Sequence, residues 1–129
     1  MINLDYRDKR PLYEQITEKF ENLISSGALG ADEQLPSVRQ LAMELSINPN
    51  TIQRSYMELE KKNIIYSIKG KGNFVTSDTE AIRRIKTENL MTDARNLALK
   101  AAELNVPLAL FVKEFEKSYL TARGDARDD

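Results

Sequence analysis

Apolar residues in this chain fall at helical steps in five places, interrupted once by a short hairpin pattern. Leu12, Ile16, Phe20, Leu23 and Ile24 recur three and four residues apart, which predicts a helix over about 11–26. Pro11 suits its first turn, where a missing N–H costs nothing, and Gly27 supplies a left-handed stop. Val38, Leu41, Ala42 and Leu45 form a second stripe, opened by Ser37 and Gln40 in capping-box spacing. Ile52, Tyr56 and Leu59 form a third, with Asn48 as its cap and Pro49 at the first helical position. Ser46 and Ile47 make the turn between these two helices, and Ile47 and Ile52 have the spacing of a hydrophobic staple.

Asn63 suits the left-handed end of the third helix, with Ile64 folding back on Leu59. Two strands are then predicted at 64–68 and 73–76, joined by Lys69-Gly70-Lys71-Gly72. A short strand at Gln34–Leu35, in the loop over 28–35, is expected to pair with this hairpin. Helical spacing returns from Asp78 or Thr79 to about Leu104, with Ile82, Ile85, Leu90, Ala94, Leu97, Ala101 and Leu104 on one broad face. After Pro107 it continues to about Thr121 through Leu108, Phe111, Val112, Phe115 and Tyr119. Residues 1–10 read as extended, anchored by Leu4 and Tyr6, and the terminal GDARDD reads as disordered.

The order of elements predicts an α+β, mostly helical fold. A winged helix-turn-helix occupies 1–76, two helices follow over 77–122, and a tail covers 123–129. Two amphipathic helices cannot bury their apolar faces fully against each other. A second copy of the chain is the expected cover, with Leu97, Leu104, Leu108, Phe111 and Phe115 in the dimer contact.

Composition narrows the chemistry. The 129 residues include no cysteine and no histidine, which removes disulfides, thiolate zinc sites, catalytic thiols and histidine acid–base chemistry. No cofactor or metal is implied, an enzyme is not expected, and no residue pattern identifies a small-molecule effector. No apolar run approaches the ~20 residues that span a bilayer, and MINLDYRDKR has no signal-peptide core, so a cytoplasmic location away from membranes is expected. The net charge of −1 gives no global basic signature. Between Ser37 and Thr76, however, Arg39, Arg54, Lys61, Lys62, Lys69 and Lys71 face only Glu44, Glu58 and Glu60, a local excess of +3.

That excess lies in a shape that docks DNA, since the second helix of a helix-turn-helix enters the major groove. With Ile52, Tyr56 and Leu59 buried, Asn50, Gln53, Arg54 and Met57 must face away. Asn and Gln amides match an adenine edge, and an Arg guanidinium matches guanine O6 and N7. Thr51 offers a hydroxyl to phosphate or a methyl to thymine. Ser37 and Arg39 lie where the preceding helix crosses the backbone, while Lys69, Gly70 and Lys71 let the wing approach a neighbouring groove. Each has a plainer use: solvated surface for Asn50 and Gln53, a weak ion pair with Glu58 for Arg54, capping for Ser37. Two other uses of the fold, a protein–protein module and non-specific architectural DNA binding, stay open at this point.

The segments LPSVRQLA and NPNTIQRSYMELEKKNIIYSIKGKGNFV resemble the winged helix-turn-helix of the GntR family of bacterial transcriptional regulators. PLYEQI and the NPNT turn resemble its short YtrA-like subfamily. The resemblance implies a homodimeric repressor of double-stranded DNA operators arranged as inverted repeats, with paired C-terminal helices for dimerisation. It also implies DNA contacts from Arg39, Asn50, Thr51, Gln53, Lys69 and Gly70. The chain departs from the family in having Pro49 and Gln53 where arginines are common, so base preferences do not transfer. Asn63 stands where glycine is usual.

Overall fold

The computed structural model describes residues 2–124. The elements run α1 (Leu12–Ser26), α2 (Val38–Leu45), α3 (Pro49–Lys61), β1 (Ile65–Ile68), β2 (Gly72–Val75), α4 (Thr79–Glu103) and α5 (Leu108–Ala122). Helix boundaries follow cap chemistry. Gly27 ends α1 at φ 87°, its N–H bonded to the Ile24 carbonyl. The Ser37 hydroxyl accepts the Gln40 N–H at 3.0 Å and opens α2. Ser46 turns the chain at φ 55°, the Asn48 side chain accepts the Asn50 N–H at 2.8 Å, and Pro49 is the first residue of α3. Asn63 takes φ 60°, which lets the Ile64 N–H reach the Leu59 carbonyl at 2.9 Å. The Asp78 carboxylate accepts the Ala81 N–H at 3.2 Å at the start of α4.

Two of the other prolines sit one place earlier than their sequence positions suggest. Pro11 and Pro107 have ψ of 146° and 130°, so they flank α1 and α5 as caps instead of joining the first turn. Both proline nitrogens are spared a helical hydrogen bond either way.

The core forms where α1, α2 and α3 meet the hairpin. Ile16, Phe20, Ile24, Leu41, Ile52, Tyr56, Leu59 and Val75 are buried almost completely, and Phe20 meets Tyr56 edge-on at 5.7 Å. Ile82 joins this core, so the opening turn of α4 belongs to it. The chain divides into two compact units between Lys86 and Thr87, inside α4.

Ile2 and Leu4 dock the N-terminal segment on the core, whereas Tyr6, expected as an anchor, is 71% exposed. The buried Gln15 side chain does the tethering instead: its oxygen accepts the Asp5 N–H at 3.1 Å and its amide donates to the Arg10 carbonyl at 3.2 Å. A polar tether needs fixed geometry, which suits a buried amide better than a phenol at the surface.

β1 and β2 pair antiparallel with Ile65 opposite Val75 and Ile68 opposite Gly72. The expected third strand is present as a bridge of Gln34 to Phe74, flanked by hydrogen bonds from Leu35 N–H to the Asn73 carbonyl and from Val75 N–H to the Glu33 carbonyl, both 2.8 Å.

In the second unit Leu90, Leu97, Leu99, Leu104, Leu108, Leu110 and Phe115 are all exposed, and α5 buries no residue. Residues 125–129, part of the tail expected to be disordered, lie outside the described residues. Among the described residues no helix is long and apolar enough to cross a membrane.

Candidate nucleic-acid interface

One face of α3 is committed to the core by Ile52, Ser55, Tyr56 and Leu59. At 100° per residue the opposite side must carry positions 50, 54 and 57, with 53 on its flank. Asn50, Gln53, Arg54 and Met57 are indeed exposed there, and Thr51 is half-buried at the other flank. The Tyr56 phenol donates to the Pro36 carbonyl at 2.7 Å, which pins the middle of α3 to the start of α2. Burial, and next the charge of Glu44, push that phenol above the usual tyrosine range, so it remains a neutral donor. The first turn of α2 thereby holds exposed Ser37 and Arg39 in a fixed relation to α3.

The wing is equally constrained. Lys69, Gly70 and Lys71 are exposed at its tip, where the Lys71 N–H bonds to the Ile68 carbonyl at 2.9 Å. Gly70 and Gly72 adopt φ 80° and 117°, conformations that side chains rarely take. Gln34 braces the tip by donating its amide to the Lys71 carbonyl at 2.8 Å; a Cβ at Gly72 would lie 2.9 Å from that amide nitrogen. At the wing's base the Asp32 carboxylate accepts the Ser77 hydroxyl at 2.7 Å and the Tyr66 hydroxyl at 2.9 Å. These two hydrogen bonds, Ser77 first, hold its carboxyl below the usual aspartate value. The sequence points to Gln34 only as part of a pairing strand and does not point to Asp32, because each side chain acts on a partner more than thirty residues away.

Arg54 is exposed as expected but does not take the plainer use weighed for it. Its guanidinium makes no ion pair with Glu58 but lies over the Tyr13 ring of α1, 3.8 Å from the centroid. The residues of the two expected surfaces therefore separate cleanly. Ser37, Arg39, Asn50, Thr51, Gln53, Arg54 and the wing tip all belong to the first unit, and Leu97, Leu104, Leu108, Phe111 and Phe115 to the second. Of the latter five, all but the half-buried Phe111 are exposed.

This arrangement has close parallels. The model for bacterial regulatory proteins of the gntR family matches residues 12–75. The chain is 38% identical over 80 residues to the HTH-type transcriptional repressor YtrA of Bacillus subtilis, a match spanning 62% of this chain and 62% of the repressor's own length. A GntR family transcriptional regulator from Listeria monocytogenes shares the fold with a TM-score of 0.74 and 32% identity, over 88% of this chain and 98% of that one. AraR(DBD), solved in complex with operator ORE1, aligns with a TM-score of 0.51 and 25% identity, over 59% of this chain and 93% of that one. The exposed polar face of α3, the braced wing and these likenesses converge: the chain belongs to the GntR family of bacterial regulatory proteins and carries its DNA-binding helix-turn-helix.

Proposed function

We propose that the chain is a homodimeric repressor that binds an inverted-repeat operator. Each subunit inserts α3 into a major groove, reads bases with Asn50 and Gln53, and approaches the neighbouring groove with the wing tip. Ser37, Arg39 and Thr51 meet the phosphate backbone, and repression follows from occluding a promoter. The residues after the wing, 77–122, form the dimer.

The observation that carries this reading is the exposed polar row of α3 on a helix pinned from behind by Tyr56 and its bond to Pro36. A rigid helix that presents amides outward is what direct base readout requires. The dimer is supported by α5, a fifteen-residue helix with no buried residue of its own. A helix pair so exposed needs another apolar surface to cover it.

The test is fluorescence anisotropy of the full chain on the DNA upstream of its own gene, against scrambled competitor at two salt concentrations. Tight binding that resists the competitor and weakens with salt is expected. Equal displacement by scrambled DNA overturns the sequence-specific reading for that site.

A further inference from the structure

We infer that Tyr13 and Arg54 form a phosphate clamp at the edge of the groove, in which Tyr13 is a positioning residue that aims the Arg54 guanidinium. This inference rests on α3 being the groove helix. The Cζ of Arg54 lies 3.8 Å from the centroid of the Tyr13 ring, the separation of a flat stack. Stacking occupies the face of a guanidinium and leaves its N–H edges open. Arg54 is exposed and has no hydrogen-bond or ion-pair partner among the described residues. Nearby cations are engaged: Arg10 pairs with Asp8 and Glu18, and Lys62 and Lys86 both pair with Glu21. Arg54 is thus a charge held in place by an aromatic ring, with its donors still open.

Its direction argues for phosphate over base. Gln53 and Arg54 diverge by about 100° around α3. A side chain drawn onto α1 by the Tyr13 ring leans away from the groove floor that Gln53 faces, toward the wall where the backbone runs. Tyr13 stands in the first turn of α1, where its backbone carbonyl accepts the Thr17 hydroxyl at 2.7 Å. A flat guanidinium with two free edges fits two phosphate oxygens side by side. Holding it there in advance removes the rotamer freedom that a long side chain would otherwise lose on binding.

The experiment titrates the full chain and its variants on operator and scrambled duplexes over a range of salt. Arg54→Ala should weaken both duplexes by the same factor, leave their ratio unchanged, and flatten the salt slope by about 0.9 for each phosphate that is no longer neutralised. Tyr13→Phe keeps the ring and should bind as the parent does. Tyr13→Leu should weaken binding about two- to fivefold, the worth of an exposed cation–π interaction, and should have no further effect in an Arg54→Ala background. Arg54→Lys keeps the charge but not the flat stack; it should retain the salt slope at reduced affinity, a readout that stands even where Tyr13→Leu folds poorly.

A loss confined to the operator would make Arg54 a base reader and overturn the clamp. An unchanged salt slope for Arg54→Ala, or an equal effect of Tyr13→Leu with and without Arg54, would overturn it as well. Failure of the regulator reading looks different: the parent chain would show no operator preference, while the salt slope of Arg54→Ala would still report on the clamp with scrambled DNA.

Discussion

Ser55 on α3 donates its hydroxyl to Thr17 on α1 across 2.9 Å in the interior. The direction follows from the Thr17 proton, which is already given to the Tyr13 carbonyl at 2.7 Å, leaving the Thr17 oxygen to accept. Ser55 is fully buried and Thr17 nearly so, which makes this a directional contact inside an otherwise apolar helix–helix seam. It helps set the rotation of α3 about its axis, and that rotation decides which residues the helix exposes.

Thr17→Val should therefore destabilise the fold more than Ser55→Ala. The first strands a buried O–H donor, at a cost of about 1–3 kcal/mol; the second removes the donor and loses about 1 kcal/mol. Urea denaturation checks the order. Equal, negligible effects would mean that water reaches both hydroxyls.

Asn50→Ala or Gln53→Ala should cost about 1–3 kcal/mol on the true operator and little on random DNA. Anisotropy on the two duplexes measures both. Matching losses would remove these amides from base readout.

Replacing Lys69 and Lys71 with alanine should weaken binding to every sequence and flatten its dependence on salt. The wing keeps its shape in that variant, because the brace from Gln34 is to the backbone of residue 71. An unaltered salt slope would place the tip away from phosphate.

Phe115→Asp should dissociate the proposed dimer. The ring is 57% exposed on a helix that buries nothing within its own subunit, so a charge there is tolerated by the monomer but not by an apolar contact. Sedimentation that still reports a dimer would put the interface elsewhere.

Acid should loosen the base of the wing. The Asp32 carboxyl is held below its ordinary value of 3.8 by the Ser77 and Tyr66 hydroxyls. A carboxyl depressed in the folded state contributes stability that is complete above its unfolded value and is lost as pH falls through the lower folded one. Carboxyl-carbon NMR should give Asp32 a midpoint below 3.8. A midpoint at or above that value would mean the two hydroxyls do not hold it.

Much of this architecture is legible in the sequence because its caps are local. Ser37, Asn48 and Asn63 act within a few residues of themselves, so their spacing alone marks α2 and α3. The exposed row of α3 follows from its buried one by helical geometry. What spacing could not reveal are the polar residues that work at long range. Thr17, Ser55 and Gln15 look like surface positions until the helices meet, and Arg54 could be assigned to Glu58 until Tyr13 came beside it. Tyr6 shows the converse: an aromatic near the core in sequence, yet at the surface in space.

The bridge of Gln34 to Phe74 also bears on how the molecule avoids its own kind. A bare hairpin exposes two strand edges, each a template for another chain. Here the segment around Gln34 covers β2, leaving β1 as the edge without a neighbouring strand among the described residues. That edge is four residues long, with Lys62 shortly before it and Lys69 directly after. A short border between two like charges is a poor site for strand addition, so the protein can expose its wing to solvent without offering a strand to aggregation.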